Sequence, residues 1–220
     1  MKTVLVVIRA YNRLEYTIRC IQSIIDNTTY PNYKILVVNN NSSDGTKEWL
    51  DWITKFSTRY SSLSTLHLNE NLGDFGGLVK GVESVDSDYV IKLDNDCEVP
   101  IGWMSSLVYV LENSGFESVM LKRVGVERHI TLNHIRSVGT YKVASVTRNV
   151  CCWIMDSSRL KEVMYSVDRD RDLGLKANIK CGKIINSIAV KHIDGYQLNT
   201  DSYPQIMKYP KCESIWEKFS

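Results

Sequence analysis

Asp94-Asn95-Asp96 closes the apolar run Tyr89-Val90-Ile91-Lys92-Leu93. A strand alternates its side chains with a period of two, so both carboxylates are expected on one side of a sheet, roughly 6–7 Å apart. Two like charges that close repel unless a cation lies between them. Hard oxygen ligands select Mg²⁺ or Mn²⁺, and such ions complete their shell with substrate phosphates. The spacing therefore points to a metal-bridged diphosphate. An isolated D-x-D is more often a pair of solvated turn residues after a buried strand, so the elements around it decide.

Those elements alternate. Thr3 to Ile8 reads as a buried strand, followed by Asn12 as an N-cap and an apolar stripe of Leu14, Ile18, Ile21 and Ile25 at helical spacing. Lys34 to Val38 is a second strand, and Asn39-Asn40-Asn41-Ser42-Ser43-Asp44-Gly45 is a polar loop. Thr46 opens a helix with Trp49, Leu50, Ile53 and Phe56 on one face, and Leu63 to Leu68 is a third strand. Asn71-Leu72-Gly73-Asp74-Phe75-Gly76-Gly77 leads into a short helix through Val85, before the strand that carries Asp94. This β-α-β-α-β-α-β series predicts a mostly parallel sheet with helices on both faces, whose functional loops gather at the carboxyl ends of the strands.

Beyond it, Trp103 to Leu111 reads as a helix, Val119 to Val124 and Val150 to Met155 as strands, and Ser158 onward as a helix. Segment 125–149 suits a loop with a hairpin.

Composition excludes several classes. The 220 residues are 44% hydrophobic and 24% charged, ordinary for a single globular α/β domain. A net charge of +2 without a basic tract does not argue for nucleic acid. Six cysteines without C-x-x-C spacing indicate neither a zinc site nor a disulfide framework, and reduced thiols suggest the cytoplasm. The apolar run Val4 to Ile8 is too short to span a membrane, so no transmembrane segment is expected.

Tyr11-Asn12, then Asn40 with Ser42 or Ser43 and Asp44-Gly45-Thr46, then Asn71-x-Gly73 and Gly76-Gly77, then the D-x-D and Val99-Pro100-x-Gly102-Trp103 follow in this order. Together they resemble family 2 glycosyltransferases of the GT-A fold, from residue 3 to about 103. A weaker resemblance continues through Asp170-Arg171-Asp172-Leu173, similar to a Glu-Asp-x-Asp-Leu segment, to Val190-Lys191-His192 and Gly195. It implies a Rossmann-like single domain. Residues 1–103 would form the nucleotide-sugar half, 104–195 the acceptor and catalytic half, and 196–220 a C-terminal lid.

The resemblance implies a nucleoside-diphosphate sugar donor, most simply a UDP-sugar, and Mn²⁺ or Mg²⁺ as cofactor. It implies donor contacts from Ala10, Tyr11, Asn12, Asn39, Asn41, Asn71, Gly73, Asp94 and Asn95, and metal ligation by Asp94, Asp96 and His192. Asp170 would be the general base of an inverting transfer, with Asp172 as substitute. The acceptor would be a glycan precursor or another hydroxylated molecule, a modified DNA base included. The competing readings are a nucleotidyltransferase, whose usual Gly-rich loop after the first strand is missing from Arg9-Ala10-Tyr11-Asn12-Arg13, and a non-catalytic nucleotide-sugar-binding relative. Three positions depart from the family pattern: Arg9 replaces Pro, Asn39 replaces an Asp that contacts the uracil ring, and Arg169 replaces the Glu before the base.

Overall fold

The computed structural model describes residues 1–124, 133–147, 151–169 and 173–193. The first half runs β1 (Val4–Ala10), α1 (Leu14–Asn27), β2 (Tyr33–Asn39), α2 (Thr46–Phe56), β3 (Leu63–His67), α3 (Gly73–Ser84) and β4 (Tyr89–Asp94). The second half runs β5 (Cys97–Glu98), α4 (Trp103–Ser114), β6 (Ser118–Val124), β7 (Asn133–Val138), β8 (Tyr141–Val146), β9 (Cys152–Asp156), α5 (Ser157–Val163), α6 (Leu173–Lys176) and β10 (Cys181–His192).

Every residue of β1 is buried, which is why Val4 to Ile8 reads as an unbroken apolar run rather than an alternating one. It lies between β2 and β4 and is parallel to both. The sheet order is β3-β2-β1-β4-β9-β6-β10-β8-β7, with β5 paired to the end of β10. The chain winds outward from β1 to β3 and returns on the other side at β4. The loops after β1 and β4 therefore diverge, and that switch point is where open α/β sheets bind ligands. Past β4 the sheet is mixed: β9 is antiparallel to β4 and β6, and β10 is parallel to β6 but antiparallel to β8.

Two apolar layers cover the sheet. Val4, Val6 and Ile8 pack with α1, α2 and α4, whereas Leu5 and Val7 pack with α3, α5 and α6. Helix α3 approaches the sheet closely at Gly81, where a Cβ would meet Val7 at 2.8 Å and Val38 at 3.0 Å. Only a glycine lets this helix lie so close to β1 and β2.

Three local expectations are corrected. Asn12 is not the cap of α1; Arg13 holds that position, and its side chain makes no capping bond. The buried stripe of α1 is Leu14, Thr17, Cys20, Ile21 and Ile24, with Ile18 and Ile25 at its margin. Phe56 is 65% exposed, because it is the last residue of α2, one turn past the buried Ile53. The hairpin expected in 125–149 is β7 and β8. Among the described residues no helix is long and apolar enough to cross a membrane.

Candidate functional site

The loops after β1 and β2 are laced together. Asn12 and Arg13 both adopt the left-handed conformation, at φ 55° and 64°, so the chain turns sharply after Tyr11. The Asn12 amide nitrogen donates to Ser42 Oγ at 2.8 Å, and its side-chain oxygen accepts from the Ser43 amide at 2.8 Å. Asp44 then caps two helices at once. Its Oδ2 accepts from the Leu14 amide at 2.8 Å, opening α1, and its Oδ1 accepts from the Thr46 amide and hydroxyl at 3.2 and 2.6 Å, opening α2.

Several expected donor contacts prove to be engaged within the protein. Asn39 is 2% exposed; its Oδ1 accepts from the Ser42 amide, and its Nδ2 is 3.2 Å from His67 Nδ1. Asn71 Oδ1 accepts from Asn40 Nδ2 and the Gly73 amide, which fixes the entry to α3 where Gly73 has φ 71°. Asn95 Nδ2 donates to Thr17 Oγ1 at 2.9 Å. Ala10 is fully buried, and its carbonyl accepts from the Asn40 amide. Tyr11 and Asn41 are exposed at the mouth of the crevice.

The two aspartates of the D-x-D part company. The strand ends at Asp94, and Asn95 and Asp96 form a turn, so the period-two argument stops one residue too early to place Asp96. Asp94 Oδ1 faces two cations, Arg9 NH2 and Lys92 Nζ, each at 2.6 Å. Both cations are almost wholly buried, with side-chain exposures of 5% and 4%. Arg9 also reaches the Asp74 carbonyl and, at 2.7 Å, the Asp74 carboxylate at the start of α3.

Asp96 instead meets Arg13 NH1 at 3.1 Å and His192 Nε2 at 3.3 Å. Strand β5 delivers this contact: His192 is the antiparallel register partner of Cys97, and the Ile193 amide donates to the Asp96 carbonyl at 2.8 Å. Glu98, the next residue, clamps the pairing. It accepts from Arg19 at 2.6 and 2.9 Å and pairs with Lys191 at 3.1 Å. Burial pushes the Glu98 carboxyl up, but those two cations outweigh it and hold the group below its ordinary value.

The Asp96, Cys97 and His192 ligand atoms lie within 4.8 Å of one another. His192 is 9% exposed at its side chain, and its Nδ1 is buried with no hydrogen-bond partner among the described residues. Asp96 Oδ1 and His192 Nε2 side by side offer one oxygen and one nitrogen donor, which fits a divalent cation such as Mn²⁺. Asp94, already countered by Arg9 and Lys92, lies outside that cluster. Buried thiols pack beneath it: burial above all pushes Cys20 and Cys152 well above the ordinary 9.0, and a hydrogen bond to Cys151, then burial, does the same for Cys97.

A pocket of about 380 Å³ opens between the start of α3 and the segment after α5, lined by Leu72, Gly73, Asp74, Phe75, Gly76, Asp168 and Arg169. Lys176 pairs with Asp168 at 2.9 Å and holds its carboxyl below the ordinary value. Asp170, Asp172 and the 196–220 segment lie outside the described residues, though the flank of the expected base borders this pocket.

Sequence reading missed Arg9, Arg13, Lys92 and Cys97. Arg9 and Lys92 left a signal, a charge inside an apolar strand, which in a buried sheet requires a paired partner. Arg13 and Cys97 left none, since their partners depend on how the loop after β1 and the end of β10 close on the turn at Asp96.

The architecture is that of the GT-A transferases. The chain superposes on GalNAc-T7, solved with UDP, GalNAc and Mn²⁺, with TM-score 0.71 at 14% identity, covering 90% of this chain and 45% of that one. It likewise superposes on the Staphylococcus aureus protein TarS 1-349 in complex with UDP-GlcNAc (TM-score 0.65, 14% identity, 87% of this chain and 60% of that one). The mannosyltransferase PcManGT from Pyrobaculum calidifontis, solved with GDP-Man and Mn²⁺, gives TM-score 0.64 at 12% identity, with coverages of 86% and 56%.

The chain belongs to Glycosyl transferase family 2, whose profile matches residues 5–182. It is 33% identical over 116 residues to the glycosyltransferase AglE of Haloferax volcanii, 52% of this chain and 37% of that protein. It is 32% identical over 115 residues to an uncharacterized glycosyltransferase of Haemophilus influenzae, 52% of this chain and 34% of the other. The chain thus spans about a third of the length of these curated relatives.

Proposed function

We propose that this chain transfers a sugar from a nucleoside-diphosphate sugar, in first place a UDP-sugar, to an acceptor hydroxyl with inversion at the anomeric carbon. The observation that carries the reading is the Asp96–His192 contact at 3.3 Å, placed beside the switch point between β1 and β4. A divalent cation held there by Asp96 and His192, Mn²⁺ or Mg²⁺, supplies neutralisation of the charge that builds on the departing diphosphate. Arg13 adds a positive charge to the same corner. Tyr11 and the loop after β2 frame the nucleotide.

Asp170 accepts the acceptor's hydroxyl proton as its oxygen bonds to the anomeric carbon and the bond to the diphosphate breaks, with Asp172 as substitute base. The pocket between Gly73 and Arg169 receives the sugar or the acceptor. A glycan precursor or a hydroxylated DNA base fits as acceptor. The five buried free cysteines among the described residues support a reducing compartment such as the cytoplasm.

A second reading, nucleotide-sugar binding without transfer, draws on Asp94 being countered by Arg9 and Lys92. A thermal-shift screen of UDP-, GDP- and CDP-sugars with and without Mn²⁺, followed by donor hydrolysis, tests both. Transfer requires Mn²⁺-dependent stabilisation and slow hydrolysis of one donor. Stabilisation without hydrolysis or transfer favours the second reading, and neither effect with any donor contradicts both.

A further inference from the structure

Two lysines stand in one row across the sheet and differ in their partners. Lys92 of β4 is in register with Trp153 of β9, Trp153 with Met120 of β6, and Met120 with Lys183 of β10. Lys92 is countered by Asp94 at 2.6 Å, whereas Lys183 meets no carboxylate among the described residues. Its neighbours are cations instead. Lys122, two residues past Met120, lies on the same face of β6, and the half-buried Arg123 follows it. Burial first, and then Lys122 and Arg123, push the half-buried Lys183 ammonium below its ordinary 10.5, with only the Cys151 thiol acting the other way. A partly desolvated charge held against two like charges is costly unless an anion completes the group.

The place of the cluster narrows the choice of anion. Strand β9 is antiparallel to both β4 and β6, so Lys122 stands at the carboxyl end of the sheet, as Asp94 does. Two strand spacings separate it from Asp94, about 10 Å, and its partner Ala189 precedes His192 by three residues, again about 10 Å. Lys183 is three strand spacings from Lys92, about 14 Å. That separation sets the cluster beside the proposed transfer point, on the half of the crevice away from the nucleotide loops.

We infer that Lys122, Arg123 and Lys183 form a phosphate site on the acceptor half of the crevice, and that the acceptor carries a phosphate group apart from the hydroxyl that receives the sugar. Phosphate fits three cations better than a carboxylate does, because it brings a charge of about −1.5 to −2 and three acceptor oxygens. The inference deepens the proposed function by naming the acceptor's chemistry. It rests on that reading for what the site serves, but not for phosphate binding.

The test is a thermal-shift titration of the full chain with inorganic phosphate, against chloride at matched ionic strength and without donor, on wild type and Lys183→Met. Phosphate also stabilises proteins generally by exclusion from their surface, and that part is common to both. Wild type should show a further, saturable rise, and Lys183→Met should lose it or need about tenfold more phosphate or beyond. The exposed Lys122→Met should show the same weakening. In phosphate-free buffer Lys183→Met should melt no lower than wild type, since it removes an uncompensated charge and keeps the length of the side chain. No saturable rise in wild type, or an unchanged midpoint in both variants, overturns the inference. So does a Lys183→Met protein that melts lower without phosphate, the sign that a carboxylate of this chain is left unpaired. Saturating UDP with Mg²⁺ should leave the phosphate midpoint unchanged, and competition would give the cluster to the donor's diphosphate and overturn the acceptor assignment. A chain that binds phosphate in this way yet hydrolyses no donor keeps the phosphate site and loses the transfer reading, whereas one that hydrolyses a donor without binding phosphate overturns this inference alone.

Discussion

Arg9 and Asp94 are register partners at the carboxyl ends of β1 and β4, and their side chains meet at 2.6 Å with the guanidinium almost wholly buried. The same guanidinium grips Asp74 at the start of α3, so one side chain ties together two central strands and the helix that borders the pocket. Arg9→Met should therefore cost about 1.5–3 kcal/mol, because it removes charge-assisted hydrogen bonds from a buried position while Lys92 still counters Asp94. Urea denaturation measures this, and a loss below about 1 kcal/mol, the scale of an exposed pair, would show that the contact is only peripheral.

Asp44 bonds the first amides of α1 and α2 from a single carboxylate. Its replacement by Ala removes two caps at about 1 kcal/mol each. The melting temperature should drop by roughly 4–8 °C for a chain of this size. A melting temperature within a degree of wild type would mean that water caps these helices as well.

Glu117 joins the starts of β6 and β10, accepting from the Lys180 amide at 3.0 Å and from Arg159 at 3.0 Å. The Lys180 amide first, with Arg159 adding to it, holds the carboxyl below the ordinary glutamate value of 4.5. A depressed folded value means that the ionised group stabilises the fold above pH 4.5 and that this contribution is lost as pH falls through the folded value. Glu117→Gln should be less stable near neutrality and should lose less stability on acidification than wild type. Parallel acid limbs in the two proteins would remove Glu117 from the account.

Asp170→Asn should keep donor binding and lose transfer by roughly 10²–10⁴-fold, since the amide keeps the shape but cannot take the proton. Kinetics and calorimetry on the same preparation separate the two effects. Near-normal turnover would move the base to Asp172.

The alternation of strands and helices through the first half and the four loops at the strand ends were legible because buried strands write continuous apolar runs and the loop from Asn39 to Gly45 is wholly polar. The geometry of the D-x-D was not. Alternation holds only while a strand continues, and β4 stops at Asp94, leaving Asp96 to be placed by a turn and by the Ile193 amide. The partnership of Cys97 with His192 depends on the return of β10 across the sheet, which no local pattern encodes. Phe56 failed for a different reason: helical spacing marks a face but not where the helix ends.

The division of labour between Asp94 and Asp96 is the core of the functional account. Calorimetry of UDP or GDP, whichever the donor screen selects, with and without Mn²⁺ on wild type, Asp96→Asn and Asp94→Asn tests it most directly. Asp96→Asn should reduce the Mn²⁺-dependent affinity by more than about tenfold, the least that a metal ligand should cost, while Asp94→Asn reduces it less. Unchanged Mn²⁺-dependent affinity in Asp96→Asn, or a larger loss in Asp94→Asn, would contradict the assignment.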